Sequence, residues 1–140
     1  MEMRPDAPVN VLVDSPLAGR SLRRSLVRGW RRRCPGCGAS PLFQGFVRVR
    51  RTCAACGERL HHQRADDLPA YLTILIAGKT LIFGLVTIEM LWSPPVWVHW
   101  AIWPAATVLL SLWLLPRIKG AAIGMQWALG MHGFGGVEDD

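Results

Sequence analysis

Two apolar runs, three residues apart, constrain this chain more than anything else in it. Tyr71–Trp92 is 22 residues with two charges, Lys79 and Glu89, and Val96–Leu115 is 20 residues with none while His99 is neutral. At about 1.5 Å per residue, each run as a helix covers roughly 30 Å, the thickness of bilayer hydrocarbon. Ser93-Pro94-Pro95 between them stops a helix, because the proline rings fix φ and lack amide donors. The pattern predicts a helical hairpin whose two flanks face the same compartment. Too few other residues remain to bury two such helices in a soluble core.

Charge divides the chain into unlike halves. Through Arg64 there are thirteen arginines against four acids, a net +9, and beyond it three basic residues against six acidic, a net −3. The turn Ser93–Pro95 carries no basic residue, whereas the opposite side holds the arginine-rich half with Arg117 and Lys119. In an inner membrane the positive side is cytoplasmic, so both termini are expected there, with Trp92, Trp97 and Trp100 at the outer interface. The first nineteen residues contain no apolar run long enough for a signal peptide.

A basic half of only about sixty residues cannot form a core without a staple. All four cysteines lie in this half, as Cys34-Pro-Gly-Cys37 and Cys53-Ala-Ala-Cys56. Cys-x2-Cys pairs fifteen residues apart fit a structural zinc site with four thiolates. Gly38 and Gly57 follow the pairs, where a positive φ and amides aimed at sulfur are needed. Rivals are disulfides, which a reducing cytoplasm disfavours, a rubredoxin-like iron site, and a redox-active dithiol at either pair. Four thiolates on zinc carry a formal −2, which Arg31–Arg33 and Arg48, Arg50 and Arg51 can offset, some of them facing lipid phosphate instead. Phe46–Thr52 alternates like a short strand, suggesting a β-hairpin arm with Leu42, Phe43 and Phe46 as a small core. His61 and His62 read as polar linker residues.

Ahead of the first pair, Ala18, Leu22, Leu26 and Trp30 recur every four residues amid arginines, with Asp14 or Ser15 as cap and Pro16 in the first turn. This predicts a basic amphipathic helix on an anionic membrane surface rather than on nucleic acid. Gly120–Phe134 is too short to cross and is expected as an interfacial or re-entrant helix, or as a lid on the metal unit. Asp66 or Asp67 is expected to cap the first span, with Pro69 in its first turn. Lys79 must find a partner, with Thr107 and Ser111 across the hairpin as candidates, or else snorkel. Folding about Pro94-Pro95 sets Glu89 opposite His99, as a structural hydrogen bond or a proton or ion site.

The expected architecture is a membrane α-helical hairpin bearing an N-terminal, cytoplasmic zinc-ribbon-like β unit with flanking amphipathic helices. Its parts are a disordered tail (1–14), the basic helix (15–33), the zinc unit (34–62), the hairpin (63–117), the third helix (118–134) and a loose acidic tail (135–140).

RSLVRGWRRRCPGCG, PLFQGF, CAACG, RADDLPAY, the Ser-Pro-Pro turn and PRIKGAAIGMQWALGMHGF stand in that order. This succession, from about Arg24 to Phe134, resembles small bacterial inner-membrane proteins grouped as domain of unknown function 983. The resemblance implies metal knuckles at Cys34, Cys37, Cys53 and Cys56, and a membrane-entry motif at Asp66, Asp67, Pro69 and Tyr71. It also implies a C-terminal motif at Gln126, Trp127, His132, Gly133 and Phe134. The chain departs from the family pattern after Gly78, where a histidine is frequent and Lys79 stands here. Family members are often encoded near haem–copper oxidase assembly factors, an association of neighbourhood and not of mechanism. The function expected is a non-enzymatic adaptor or assembly factor with an integral-membrane protein partner. The alternative is a metal- or lipid-handling factor using Lys79, Glu89 and the paired aspartates. An enzymatic reading finds no nucleophile–base pair, phosphate loop or open metal position.

Overall fold

The computed structural model describes residues 19–61, 67–131 and 134. Three helices occur among them, α1 (Leu22–Trp30), α2 (Leu68–Trp92) and α3 (Val96–Leu129). Pro69 sits in the first turn of α2, where its missing N–H costs nothing. At the other end Ser93 adopts a left-handed conformation, φ 44°, and its amide donates to Glu89 O at 3.1 Å. Pro94 and Pro95 then prevent continuation, and extended Pro95 opens α3.

α2 and α3 are both long and apolar enough to cross a membrane. Their apolar side chains point away from the protein, with Ile74 72% and Leu91 82% exposed. The threonine hydroxyls fold back onto their own helices. Thr73 donates to Pro69 O (2.7 Å), Thr80 to Ile76 O (2.8 Å), Thr87 to Phe83 O (2.7 Å) and Thr107 to Trp103 O (2.7 Å). Such back-bonding satisfies a hydroxyl where no water is at hand.

α3 is 34 residues long, so at 1.5 Å per residue it extends roughly 51 Å, well past a hydrocarbon layer of about 30 Å. Residues 118–129 therefore do not form a separate interfacial or re-entrant helix; they continue the second apolar run as one rod. Pro116 lies inside that rod and removes only one ladder bond, while Leu114, Ile118, Ala122 and Ile123 around it are buried. Burial against α1 and the cysteine unit holds the helix together where the proline would weaken it.

α1 starts later than its sequence suggests. Residues 19–21 are not helical, and Ser21 is the cap, its Oγ accepting from Arg24 N at 3.4 Å. The proposed cap at Asp14 or Ser15 and the N-terminal tail lie outside the described residues. The face that α1 buries is Ser25 and Gly29, not the Leu22–Leu26–Trp30 stripe. A Cβ on Gly29 or Gly120 would collide with the other's carbonyl, and one on Gly124 would strike Ser25 O. Ser25-x3-Gly29 and Gly120-x3-Gly124 thus bring the two backbones into direct contact, as small residues spaced by four do between helices.

No continuous strand forms among the described residues, so the expected β arm is reduced to isolated antiparallel bridges: Arg33 with Pro41, Phe43 with Val49, and Thr52 with Arg59. Only five residues separate Phe43 from Val49, too few to build a ladder. Leu42 and Phe43 are buried, but Phe46 is exposed at the tip of this loop. Leu60, Ile123 and Phe134 complete the core with Cys34 and Cys53.

Candidate metal centre

Each cysteine pair forms a closed knuckle. Gly38 N donates to Cys34 O (2.9 Å) and Gly57 N to Cys53 O (3.1 Å), while Gly38 and Gly57 hold φ of 70° and 74°. These left-handed positions turn the chain so that both sulfurs of a pair face inward. A second strap closes each loop, Cys34 N to Ser40 O and Cys53 N to Glu58 O, both 2.9 Å.

The four Sγ atoms lie within 4.8 Å of one another. Cys34 and Cys56 sulfurs are 3.8 Å apart, and those of Cys37 and Cys53 are 3.6 Å apart. A tetrahedron with metal–sulfur bonds of about 2.3 Å has edges near ~3.8 Å, whereas a disulfide needs about 2.05 Å. The cluster matches ligation of one ion and not two disulfides; both close contacts join one knuckle to the other. Its donor set can hold a metal ion, and zinc and iron share these distances.

The thiols respond unequally to this crowding. Burial pushes Cys34 up to about 12 and also raises Cys56. Backbone amides of Ser40 and Ala39 lower Cys37, and Ala39 N reaches its sulfur at 3.5 Å. At Cys53 burial opposes ionisation, yet amides of Cys56 and Ala55 and neighbouring thiols bring it down to about 6. Four adjacent sulfurs cannot all ionise without a cation among them, and a divalent ion supplies that charge.

Three arms fasten this unit to the helices. Arg28 on α1 donates to Pro35 O (3.2 Å) and to Gly36 O, and its side chain packs against Gly38. Trp127 on α3 lies beside Gly36 and packs on the cysteine core. Arg20 donates to Trp127 O (2.8 Å) and Phe134 O (2.9 Å), and its guanidinium stacks 4.3 Å from the Trp127 ring centre. A cation there complements the carbonyl end of α3. Gln126 is buried nearby. The C-terminal motif residues Trp127 and Phe134 therefore gather at the cysteine unit; His132 and Gly133 lie outside the described residues. Neither Arg20 nor Arg28 was singled out from the sequence. Arg31–Arg33 line a cleft with Pro41, Phe43 and Gly45.

Elsewhere the candidate residues stand apart. Asp67 is at the cap position of α2, but it uses its backbone oxygen, accepting from Tyr71 N at 3.0 Å, and its carboxylate makes no cap bond. Its φ of −94° and ψ of −33° are already helical, which aims the side chain away from the amides of the first turn. Asp66 is outside the described residues. Pro69 is buried and Tyr71 exposed. Lys79 is exposed midway along α2 and meets neither Thr107 nor any other partner among the described residues, Thr107 being committed to Trp103 O. At the turn end, His99 Nε2 is 3.1 Å from Glu89 Oε2, and Trp103 Nε1 donates to His99 Nδ1 at 2.8 Å.

The molecule is thus a cysteine-knuckle unit, able to hold a metal ion, docked on one end of a hairpin of two long apolar helices. The chain belongs to the family described as protein of unknown function (DUF983), which it matches over residues 43–127. No curated protein and no solved structure matches it.

Proposed function

We propose that this protein is a non-enzymatic adaptor of the bacterial inner membrane, in which a zinc-clamped cytoplasmic cap is held rigidly on a membrane hairpin that docks against an integral-membrane complex. Four sulfurs fill a tetrahedral shell and leave no position for substrate, so the metal's role is structural. What carries the adaptor reading is Lys79. An ammonium midway along an apolar helix costs about 2.5–3.5 kcal/mol in hydrocarbon, and here it is exposed with no partner among the described residues. A helix of another membrane protein that presents a carboxylate at that depth removes the cost. The family resemblance makes a haem–copper oxidase under assembly the first complex to examine.

The test is affinity purification in mild detergent of the wild type and of Lys79→Met, with partner identification and elemental analysis on the same samples. The expected result is one zinc per chain in both and a membrane complex that accompanies only the wild type. Equal recovery with both chains removes Lys79 from the interface. Zinc with no partner, or a bound lipid in its place, refutes the adaptor and favours a lipid-handling factor.

A further inference from the structure

The exposed apolar surface of α3 runs from Val96 to Trp113, beyond which Leu114 begins the buried segment. These 18 residues span about 27 Å, close to the hydrocarbon thickness. Exposed aromatic residues mark both limits. Trp92, Trp97 and Trp100 stand at the turn end, and Tyr71, Trp113 and Trp30 at the cap end. Trp30 meets Trp113 edge to face with ring centres 6.1 Å apart, and Arg117 stacks 4.3 Å above Trp113. Tryptophan and tyrosine prefer the headgroup boundary, so the Trp30–Trp113 pair fixes its level.

Arg31, Arg32 and Arg33 follow Trp30 directly and, with Pro41, Phe43 and Gly45, enclose a cleft of about 400 Å³. Among the described residues neither the Arg31 nor the Arg32 guanidinium pairs with a carboxylate, and Arg33 gives one N–H to Ala39 O at 3.2 Å. Three consecutive arginines thus line one concave site together with a buried aromatic, Phe43. Gly45 leaves the mouth open, as a Cβ there would meet nothing within 4 Å, and apolar Phe46 next to it is exposed. Guanidinium forks match phosphate oxygens in pairs.

We infer that this cleft binds the phosphodiester of an anionic phospholipid headgroup from the leaflet on the cap side. The phosphate sits among Arg31–Arg33 while the acyl chains descend beside Trp30 and Trp113. The inference rests on α2 and α3 lying in the bilayer, and it is independent of whether a protein partner docks at Lys79.

The full metal-loaded chain, purified in mild detergent, is offered phosphatidylglycerol, phosphatidylcholine or inorganic phosphate, and retained lipid is counted by mass spectrometry. Wild type is expected to retain phosphatidylglycerol over phosphatidylcholine by about tenfold, and Arg31→Gln/Arg32→Gln to abolish that preference. Arg23→Gln/Arg24→Gln removes the same charge from the exposed side of α1 and is expected to change retention less than about twofold. Equal loss in both double variants shows general charge attraction and overturns the site. Displacement of the lipid by inorganic phosphate at matched concentration identifies a free-phosphate site and overturns the lipid assignment. A photoactivatable phosphatidylglycerol carries the test in the unaltered chain, with labelling expected between Arg31 and Phe46; labelling confined to α2 or the turn end refutes it. Alkaline extraction of membranes, run beside these, reports separately whether the hairpin is inserted.

Discussion

From Val96 to Trp113, α3 turns its apolar side chains outward, while from Leu114 to Ala128 the same helix is largely buried under α1 and the cysteine unit. In the membrane reading proposed above the two segments face different solvents, and their packing is expected to differ accordingly. Where lipid surrounds a helix, burying apolar surface against protein gains little, so α2 and α3 touch through a few small residues such as Ala77 and Gly84 and through the polar contacts near the turn. Where water surrounds it, exposed apolar surface is costly, and α1 covers the end of α3 with direct backbone contact at Gly29–Gly120 and Ser25–Gly124. The cap is small, and its core of Cys34, Leu42, Phe43, Cys53 and Leu60 is completed by Ala122 and Ile123 of α3 and by Phe134.

Cys53→Ser should separate the two segments most sharply. Structural zinc contributes on the order of 10 kcal/mol of folding free energy, so the variant is expected to lose its metal and expose residues 31–60 to protease while α2 and α3 remain membrane-extractable only by detergent. Elemental analysis and limited proteolysis measure both. Loss of membrane insertion along with the metal would break the comparison, because the hairpin would then depend on the cap. Gly120→Ala comes next. Its methyl must displace the Gly29 backbone, and a cost of about 2–4 kcal/mol is expected, seen as detachment and cleavage of α1. Gly78→Ala on α2, where a Cβ would meet nothing within 4 Å, is expected to be neutral or to stabilise by up to about 1 kcal/mol through helix propensity.

The parts of this architecture that sequence reveals are those written over short distances. Two residues between cysteines with a glycine after each pair encode a knuckle locally, and Ser93-Pro94-Pro95 encodes a turn. A turn so placed also sets register, which is why Glu89 and His99 can be paired on paper. The Ser25–Gly29 and Gly120–Gly124 crossing was half written, since small residues four apart are a recognised helix-contact signal. Length alone, however, sets Gly120–Phe134 apart as a separate short helix, and a partner about ninety residues upstream has no local mark. Arg20 is harder still. It reaches Trp127 O and Phe134 O across more than a hundred residues, a contact that exists only once α1 has docked. Phe46 was misplaced for a different reason: alternation assigns faces within a ladder, and isolated bridges have none.

The pH dependence of metal binding sharpens the picture of the cap. Cys34, pushed to about 12, and Cys56, raised above 9.0, carry protons at neutral pH, whereas Cys53 at about 6 is mostly thiolate. Metal uptake near pH 7 therefore releases at least two protons, and the apparent affinity should fall by about a hundredfold for each unit of acidification. Below pH 6 Cys53 adds a third proton and the slope steepens. Competition with a chromophoric chelator from pH 8 to pH 5.5 measures it. A slope below tenfold per unit would mean that the thiols are already ionised before metal arrives.

A small effect is also expected at the turn end, since hydrogen bonds between membrane helices are worth about 0.6 kcal/mol on average. Trp103 donates to His99 Nδ1, so that nitrogen carries no proton and Nε2–H donates to Glu89 Oε2. The indole thus selects the tautomer that lets histidine bridge α2 and α3, and the three side chains act as one device. Trp103→Phe removes the outer indole carbons that lie over Gly84 and frees Nδ1, so the imidazole can change tautomer and the bridge loosens. In a double-mutant cycle of Trp103→Phe with Glu89→Gln, measured as resistance of the detergent-solubilised hairpin to denaturation, the two losses should add to more than the double variant shows, by about 0.5–1 kcal/mol. Strict additivity would mean that Trp103 contributes packing alone and that the His99–Glu89 contact stands without it.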